Sequence, residues 1–347
     1  MNKKITEQEN NSKKKRRARI WYSLLILIFI LAFYFVKIAD NYPLKQDLNF
    51  PPRFFGVTFS DKFCAELGLD WKEVYLAILD DLQVKEIRIP IYWDEIEPER
   101  GVFDFSSFDY MIQEGAKRDV RFIISIGWRL PRWPECHAPE WAQAKSLAAT
   151  QANVLKMLET VVNHYKDEES IIAWQVENEP FFDFFGVCPP SDENFFKREV
   201  ELVKNNDDRP IIVSATGELS WWKKEAEYGD WFGSTVYRVV WGPYTKYFRY
   251  PIPAWFYRLK ADLVGIDPEN RYIIELQAEP WVPYGNMIYL SKEEADKSFN
   301  PEQFKANLQY AINVGFKKAY LWGAEWWYYQ YKNDDPAYWE LARTIFK

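Results

Sequence analysis

Acidic residues at the ends of apolar runs are the first chemical feature of this sequence. Trp174-Gln-Val-Glu-Asn-Glu-Pro180 places Glu177, Asn178 and Glu179 directly after such a run, and RYII (271–274) leads straight into Glu275, Gln277 and Glu279. Arg88 and Trp93 close a third run, Tyr237 falls within a fourth, and Trp322, Glu325 and Trp326 follow a fifth. Burying charge is costly unless it is paired or used. One acid so placed would fit a structural ion pair. Acids on two runs, with Arg and Tyr on others, fit a site where carboxyl groups attack or move protons.

Such a site needs a frame that brings distant segments together. Eight short β-branched and aromatic runs recur: 54–59, 86–93, 122–127, 171–178, 210–216, 233–240, 271–278 and 318–324. Amphipathic stretches separate them, for instance 71–82 and 302–315, apolar at i, i+3, i+4 and i+7 and, in the second case, ended by Gly315. Eight alternations predict a single α/β domain over 53–347, a closed parallel (β/α)8 TIM barrel whose chemistry sits at the carboxyl ends of its strands. A doubly wound open sheet would advertise a Gly-rich phosphate loop after its first strand, and 54–60 has none.

Composition narrows the function further. The first 19 residues carry eight basic side chains against Glu7 and Glu9, a net +6, which leaves −13 for the rest of a chain at −7. A body this acidic repels a phosphate backbone, so no nucleic-acid partner is expected. Two histidines and three cysteines show no metal-ligand spacing, and neither a metal nor an organic cofactor is expected. Cys136 and Cys188 fall on one face of the expected barrel. A disulfide between them is open, as is the reading of all three cysteines as small buried hydrophobes. The aromatic content of 18% suits both a large core and sugar-stacking platforms, and Trp128, Trp133, Trp141, Trp281 and Trp327 fit either use.

The amino-terminal part reads differently. Ile20 to Val36 carries no charge, follows a basic cluster, and has Trp21, Tyr22 and Tyr34 near its ends. This predicts a basic cytoplasmic tail (1–19), a transmembrane signal-anchor helix (20–37) in contact with the lipid bilayer, and a linker (38–52). The domain at 53–347 would then lie outside the cell membrane. A cleaved signal peptide is the rival, but no small-x-small cleavage site follows the run.

WQVENEP, followed far downstream by IIELQAEPW, resembles the clan A retaining glycoside hydrolases. RIPIYWDEIEPERGVFDFSSFDYMI (88–112) is similar to the β-galactosidases of glycoside hydrolase family 42, with family 5-type cellulases and mannanases next nearest. The resemblance implies Glu179 as acid/base and Glu275 as nucleophile, with Glu279 as the alternative. It implies that Asn178 holds the sugar 2-hydroxyl, that Arg88 and Tyr237 attend the nucleophile, and that Trp322 floors the subsite beside the cleaved bond. Trp93, Glu325 and Trp326 complete the expected substrate-binding set. Glu177 would support the site through hydrogen bonds. The implied activity is double displacement on β-linked oligo- or polysaccharides, which needs two carboxyls about 5–5.5 Å apart. The competing expectation is a barrel of the same fold that binds carbohydrate without turning it over.

Overall fold

The computed structural model describes residues 14–32 and 51–347 except Ala144. Eight parallel strands close into a barrel: β1 (Phe55–Thr58), β2 (Glu86–Pro90), β3 (Arg121–Ile126), β4 (Ile171–Val176), β5 (Ile211–Ala215), β6 (Trp231–Val236), β9 (Arg271–Gln277) and β10 (Lys318–Trp322). All eight expected runs supply one strand each. The sixth was expected to continue to residue 240, but it ends at Val236. The chain then turns into an antiparallel hairpin, β7 (Val239–Gly242) with β8 (Lys246–Arg249). Gln277 of β9 secures the base of that hairpin. Its Oε1 accepts from the Arg238 and Val239 amides at 2.9 Å each, and its Nε2 donates to the Val239 carbonyl at 2.7 Å.

The helices are set by local chemistry that agrees with the pattern. Asp70 caps the helix Trp71–Asp80 by accepting from the Lys72 amide. Asn300 caps Pro301–Val314, which Gly315 ends in a left-handed conformation at φ 71°. The apolar faces of these helices pack on the outside of the barrel, with Val74, Ile78, Phe304 and Leu308 buried against strand residues such as Val57 and Leu321.

Inside the barrel a smaller cluster, Ile123, Ala173, Ile212, Tyr272, Ile274 and Tyr320, forms a plug. One step of strand alternation above it, the inward residues turn polar: Ser125, Gln175 and Ser214. On β9 alternation alone would turn Glu275 outward, because Ile274 belongs to the plug. The register of β9 against β6 slips between Ile273 and Glu275, and against β10 between Ile273 and Leu276. This bulge lets Ile274 and Glu275 both face inward while Leu276 joins the outer core. Glu275 therefore reaches the polar layer through an irregularity.

Residues 14–32 are helical and exposed along their length. No described helix is long and apolar enough to cross a membrane. The anchor expected over 20–37, and with it the bilayer contact, thus lacks structural support. Of the expected span only residues 20–32 are described, a helical stretch without charge. Residues 33–37, most of the expected linker and most of the expected tail lie outside the described residues.

At the lower end of the barrel Glu86, fully buried, accepts from Arg121 Nε at 3.0 Å and from Lys318 Nζ at 2.5 Å. Glu86→Ala strips both cations of their shared carboxylate. The expected loss is about 3 kcal/mol, measured as a lower midpoint in urea unfolding with an unchanged slope.

Candidate active site

Arg88 organises the carboxyl end of the barrel. It is fully buried in the middle of β2, and its guanidinium reaches three other strands and the turn after β4. Nη1 donates to Glu275 Oε1 at 2.7 Å, Nε to Gln175 Oε1 at 2.7 Å and Ser125 Oγ at 3.2 Å, and Nη2 to Asn178 Oδ1 at 3.1 Å. The other oxygen of Glu275 accepts from the Tyr237 hydroxyl at 2.9 Å. Glu275 is thus held at both oxygens, by Arg88 of β2 and by Tyr237 just after β6.

Glu179 follows β4 after a turn in which Glu177 and Glu179 both adopt left-handed conformations, φ 58° and 45°. Such conformations cost non-glycine residues about 1 kcal/mol or more each and persist where surroundings enforce them. Here the Glu177 carboxylate accepts from the Trp128 and Arg129 amides, 2.6 Å each, and the Glu179 amide donates to Ser214 Oγ at 2.8 Å. The Glu177 carboxylate lies so close to Gly127 (φ 142°) that a Cβ there would come within 2.4 Å of it. Glu199, from the helix Glu193–Asn206, hydrogen-bonds Glu177 from behind. Burial and the Glu177 charge keep Glu199 well above the usual carboxylate range, so it is protonated.

The two strand-end acids differ in surroundings. Glu179 Oε1 accepts only a hydroxyl, Thr235 Oγ1 at 3.1 Å. Burial first, then the charges of Glu275 and Glu135, hold the Glu179 carboxyl well above its ordinary range. Glu179 therefore keeps a proton that it can give. Tyr237 is pushed up by burial, then by the charge and hydrogen bond of Glu275 and by the charges of Glu279 and Glu179.

Glu279 has a different environment. Its carboxylate is gripped by Arg132 Nη1 at 2.5 Å and Nη2 at 3.3 Å, and Arg132 also contacts Glu325 at 3.4 Å. The Arg132 guanidinium lies 3.4 Å from the Phe63 ring centroid and 4.0 Å from that of Trp322. Glu325, fully buried, also accepts from the Ser60 amide at 2.5 Å.

Of the residues expected in the site, Arg88, Asn178, Glu179, Tyr237 and Glu275 form one hydrogen-bonded and electrostatic group. Glu279, Trp322 and Glu325 form an adjoining group around Arg132. Two others do not reach either. Trp93 begins a short helix (Trp93–Ile96), is fully buried, and donates to Glu97 Oε2 at 2.7 Å. Trp326 is packed between Phe299 and Tyr338 in the core. Among the five candidate platforms, Trp327 is core, Trp128 is half-buried against the core, Trp141 packs edge-on against Trp93, and Trp133 and Trp281 lie on loops at the mouth.

Sequence reasoning missed Arg129, Arg132 and Glu135. They sit in the irregular segment after β3, where no periodicity marks direction. The nearest signal was Cys136, and it does pair with Cys188, 5.3 Å between Cα atoms. Cys64 is free and buried. No group of three or more His, Cys, Asp or Glu among the described residues is arranged to hold a metal.

Burial, the largest cause in each case, raises Glu135, Glu218 and Glu325 to about 7, against 4.5 for an ordinary glutamate. Between those values the folded chain binds more protons than the unfolded one, so these groups favour folding at low pH and lose that contribution as pH rises through 7. Thermal unfolding is expected to show a midpoint lower at pH 8 than at pH 5, on the order of 5 °C. A midpoint that rises over that interval would contradict the burial of these carboxyls.

Comparison with known proteins agrees with this architecture. Residues 70–200 match the model of glycoside hydrolase family 42, described as β-galactosidase. Over 118 residues the chain is 32% identical to endo-1,4-beta-xylanase C of Phanerodontia chrysosporium, a match covering 31% of this chain and 27% of that protein. The chain spans about a quarter of the length of the curated relatives it matches. Among solved structures, GH5_18 of Streptomyces cattleya in complex with GlcNAc superposes with a TM-score of 0.55 at 12% identity, covering 78% of this chain and 70% of that one. The cold-adapted β-galactosidase of Rahnella sp. R3 gives 0.53 at 13% identity, covering 78% and 51%. Xylanase 10B of Thermotoga maritima gives 0.53 at 16% identity, covering 77% and 82%. At such identities the structural likeness speaks for the fold alone. By family-model match and by fold, the chain resembles the clan A (β/α)8 glycoside hydrolases.

Proposed function

We propose that this chain is a retaining glycosidase acting on β-linked sugars. Glu275 attacks the anomeric carbon as Glu179 protonates the departing oxygen. Glu179, now a base, then takes a proton from water, which releases the sugar from Glu275. The observation that carries this reading is the contrast between the two acids: two donors converge on the oxygens of Glu275, while Glu179 keeps its proton. Asn178, its Oδ1 crowded by Arg88, Gln175 and Ser214, is left to donate through Nδ2, as a contact to a sugar hydroxyl requires.

The substrate of this reading is an oligo- or polysaccharide of β-galactan, β-glucan, β-mannan or β-xylan type, and the aromatic lining of the mouth supports it. Aromatic rings lead outward from Tyr237 to Trp281 at 5.8 Å, to Phe185 at 6.2 Å and to Trp133 at 5.9 Å, and Trp133 is 59% exposed. Rigid rings facing water suit the apolar faces of sugars. The alternative, a barrel that binds carbohydrate without turnover, is separated from this reading by activity alone.

On aryl β-glycosides with poor leaving groups, Glu179→Ala is expected to lower kcat/KM by about 10²- to 10⁴-fold, with a much smaller loss on dinitrophenyl glycosides. Glu275→Gln is expected to abolish turnover of both. Activity retained in Glu275→Gln beside a dead Glu279→Gln would transfer the nucleophile role to Glu279. Glycan binding with no turnover by the unmodified chain would leave the non-catalytic alternative.

We further propose that the uncharged run at 20–36 anchors the protein in the cell membrane with the barrel outside. The basic cluster before the run supports this orientation. The Cys136–Cys188 disulfide supports an oxidising compartment. In fractionated cells the chain is expected to resist extraction by alkaline carbonate, with no thiol-reactive label on either cysteine. Recovery in the carbonate wash, or labelling of both, would refute the placement.

A further inference from the structure

A third carboxyl enters the site from the loop after β3. Glu135 is 4% exposed, and its Oε2 accepts from Asn178 Nδ2 at 3.3 Å and Arg129 Nε at 3.4 Å. Asn178 Oδ1 already accepts from Arg88, Gln175 and Ser214. The amide is therefore locked with its NH₂ toward Glu135, one hydrogen engaged and the other free for a substrate hydroxyl.

The position of Glu135 is built rather than incidental. Its loop is stapled to the loop after β4 by the Cys136–Cys188 disulfide, by the Val187 amide donating to the Pro134 carbonyl at 2.9 Å, and by Arg129 Nη2 donating to the Phe185 carbonyl at 2.7 Å. Gly186, at φ 86°, stands against the Glu135 stem so closely that a Cβ would come within 2.7 Å of the Glu135 Cβ. The charged and titratable groups facing Glu135 are Arg129 from its own loop, Glu179 from the turn after β4, and Glu275 from β9. With Arg88 paired to Glu275, two cations face three carboxyls, so full ionisation would leave a surplus of negative charge around Glu179.

We propose that Glu135 is a positioning residue of this active site, which aims the Asn178 amide at the sugar 2-hydroxyl and sets a second negative charge beside Glu179, keeping its proton on. The inference rests on the glycosidase reading and deepens it. Burial raises Glu135 to about 7, so its negative charge is present above that pH. Glu275 and Glu135 together then oppose ionisation of Glu179. The site gains an alkaline reserve that two carboxyls alone would lack.

The test is the pH profile of kcat/KM for Glu135→Gln, which keeps the shape and an acceptor but removes the charge. With a phenyl or methylumbelliferyl β-glycoside that the unmodified chain turns over, the alkaline limb is expected to fall by on the order of one pH unit. With a dinitrophenyl glycoside, whose departure needs no proton, the shift should shrink. Mere structural damage would lower activity at every pH and leave the limb in place. Glu135→Asp keeps the charge on a shorter stem and serves if the Gln variant does not fold. It should retain the limb, lose activity on the ordinary glycoside, and match the unmodified chain on a 2-deoxyglycoside. An unmoved limb in folded Glu135→Gln, or a fallen limb in folded Glu135→Asp, overturns the inference. Failure of the glycosidase reading would show separately, as no turnover by the unmodified chain or no effect of Glu179→Ala.

Discussion

The buried guanidinium of Arg88 is the constraint on which the mouth of the barrel depends. A cation with no exposure must meet its donors' demands from the protein, and here the acceptors come from β3, β4, the turn after β4, and β9. One planar group thereby fixes the relative placement of Asn178 and Glu275, which lie far apart in the chain. Packing inside the barrel supports this arrangement from below. The plug of Ile123, Ala173, Ile212, Tyr272, Ile274 and Tyr320 closes the lumen, so the polar layer rests on a dry floor in which its hydrogen bonds are not exchanged for water.

Around that centre the site divides its charges into two neighbourhoods. Glu275, Glu179 and Glu135 share Arg88 and Arg129. Glu279 and Glu325 share Arg132, whose guanidinium is pressed against Phe63 and Trp322. The division explains why acids so close in sequence as Glu275 and Glu279 have unlike surroundings. It also places Trp322, the expected floor of the subsite next to the bond, in contact with a fixed cation.

Much of this was legible in the amino-acid order. Apolar runs of the right length and spacing gave all eight barrel strands, because a parallel barrel strand is buried on both sides and its sequence says so. The strand-end residues Arg88, Asn178, Glu179, Tyr237 and Glu275 were also visible as polar breaks in those runs. What escaped was set by irregular backbone. The β9 bulge decides which way Glu275 faces, and no periodicity reports a bulge. Trp93 read as a strand end, but the chain bends there into a helix and turns the indole into the core. Glu135 and Arg132 lie in a loop whose course depends on a covalent link to a segment 52 residues away, information that a local window does not contain. The apolar run at 20–36 was plain in composition, yet among the described residues no helix spans a membrane.

The left-handed backbone at Glu177 and Glu179 has a consequence for how this chain can change. Both residues hold conformations that glycine or asparagine would adopt with less strain. Their side chains are nonetheless the ones that clamp the neighbouring loop and, in the proposed mechanism, hold the transferable proton. Chemistry and conformational tension therefore reside in the same two residues. Substitutions that relax this turn would make the barrel sturdier and the site poorer, so selection for robustness and selection for turnover pull against each other at this one corner of the molecule.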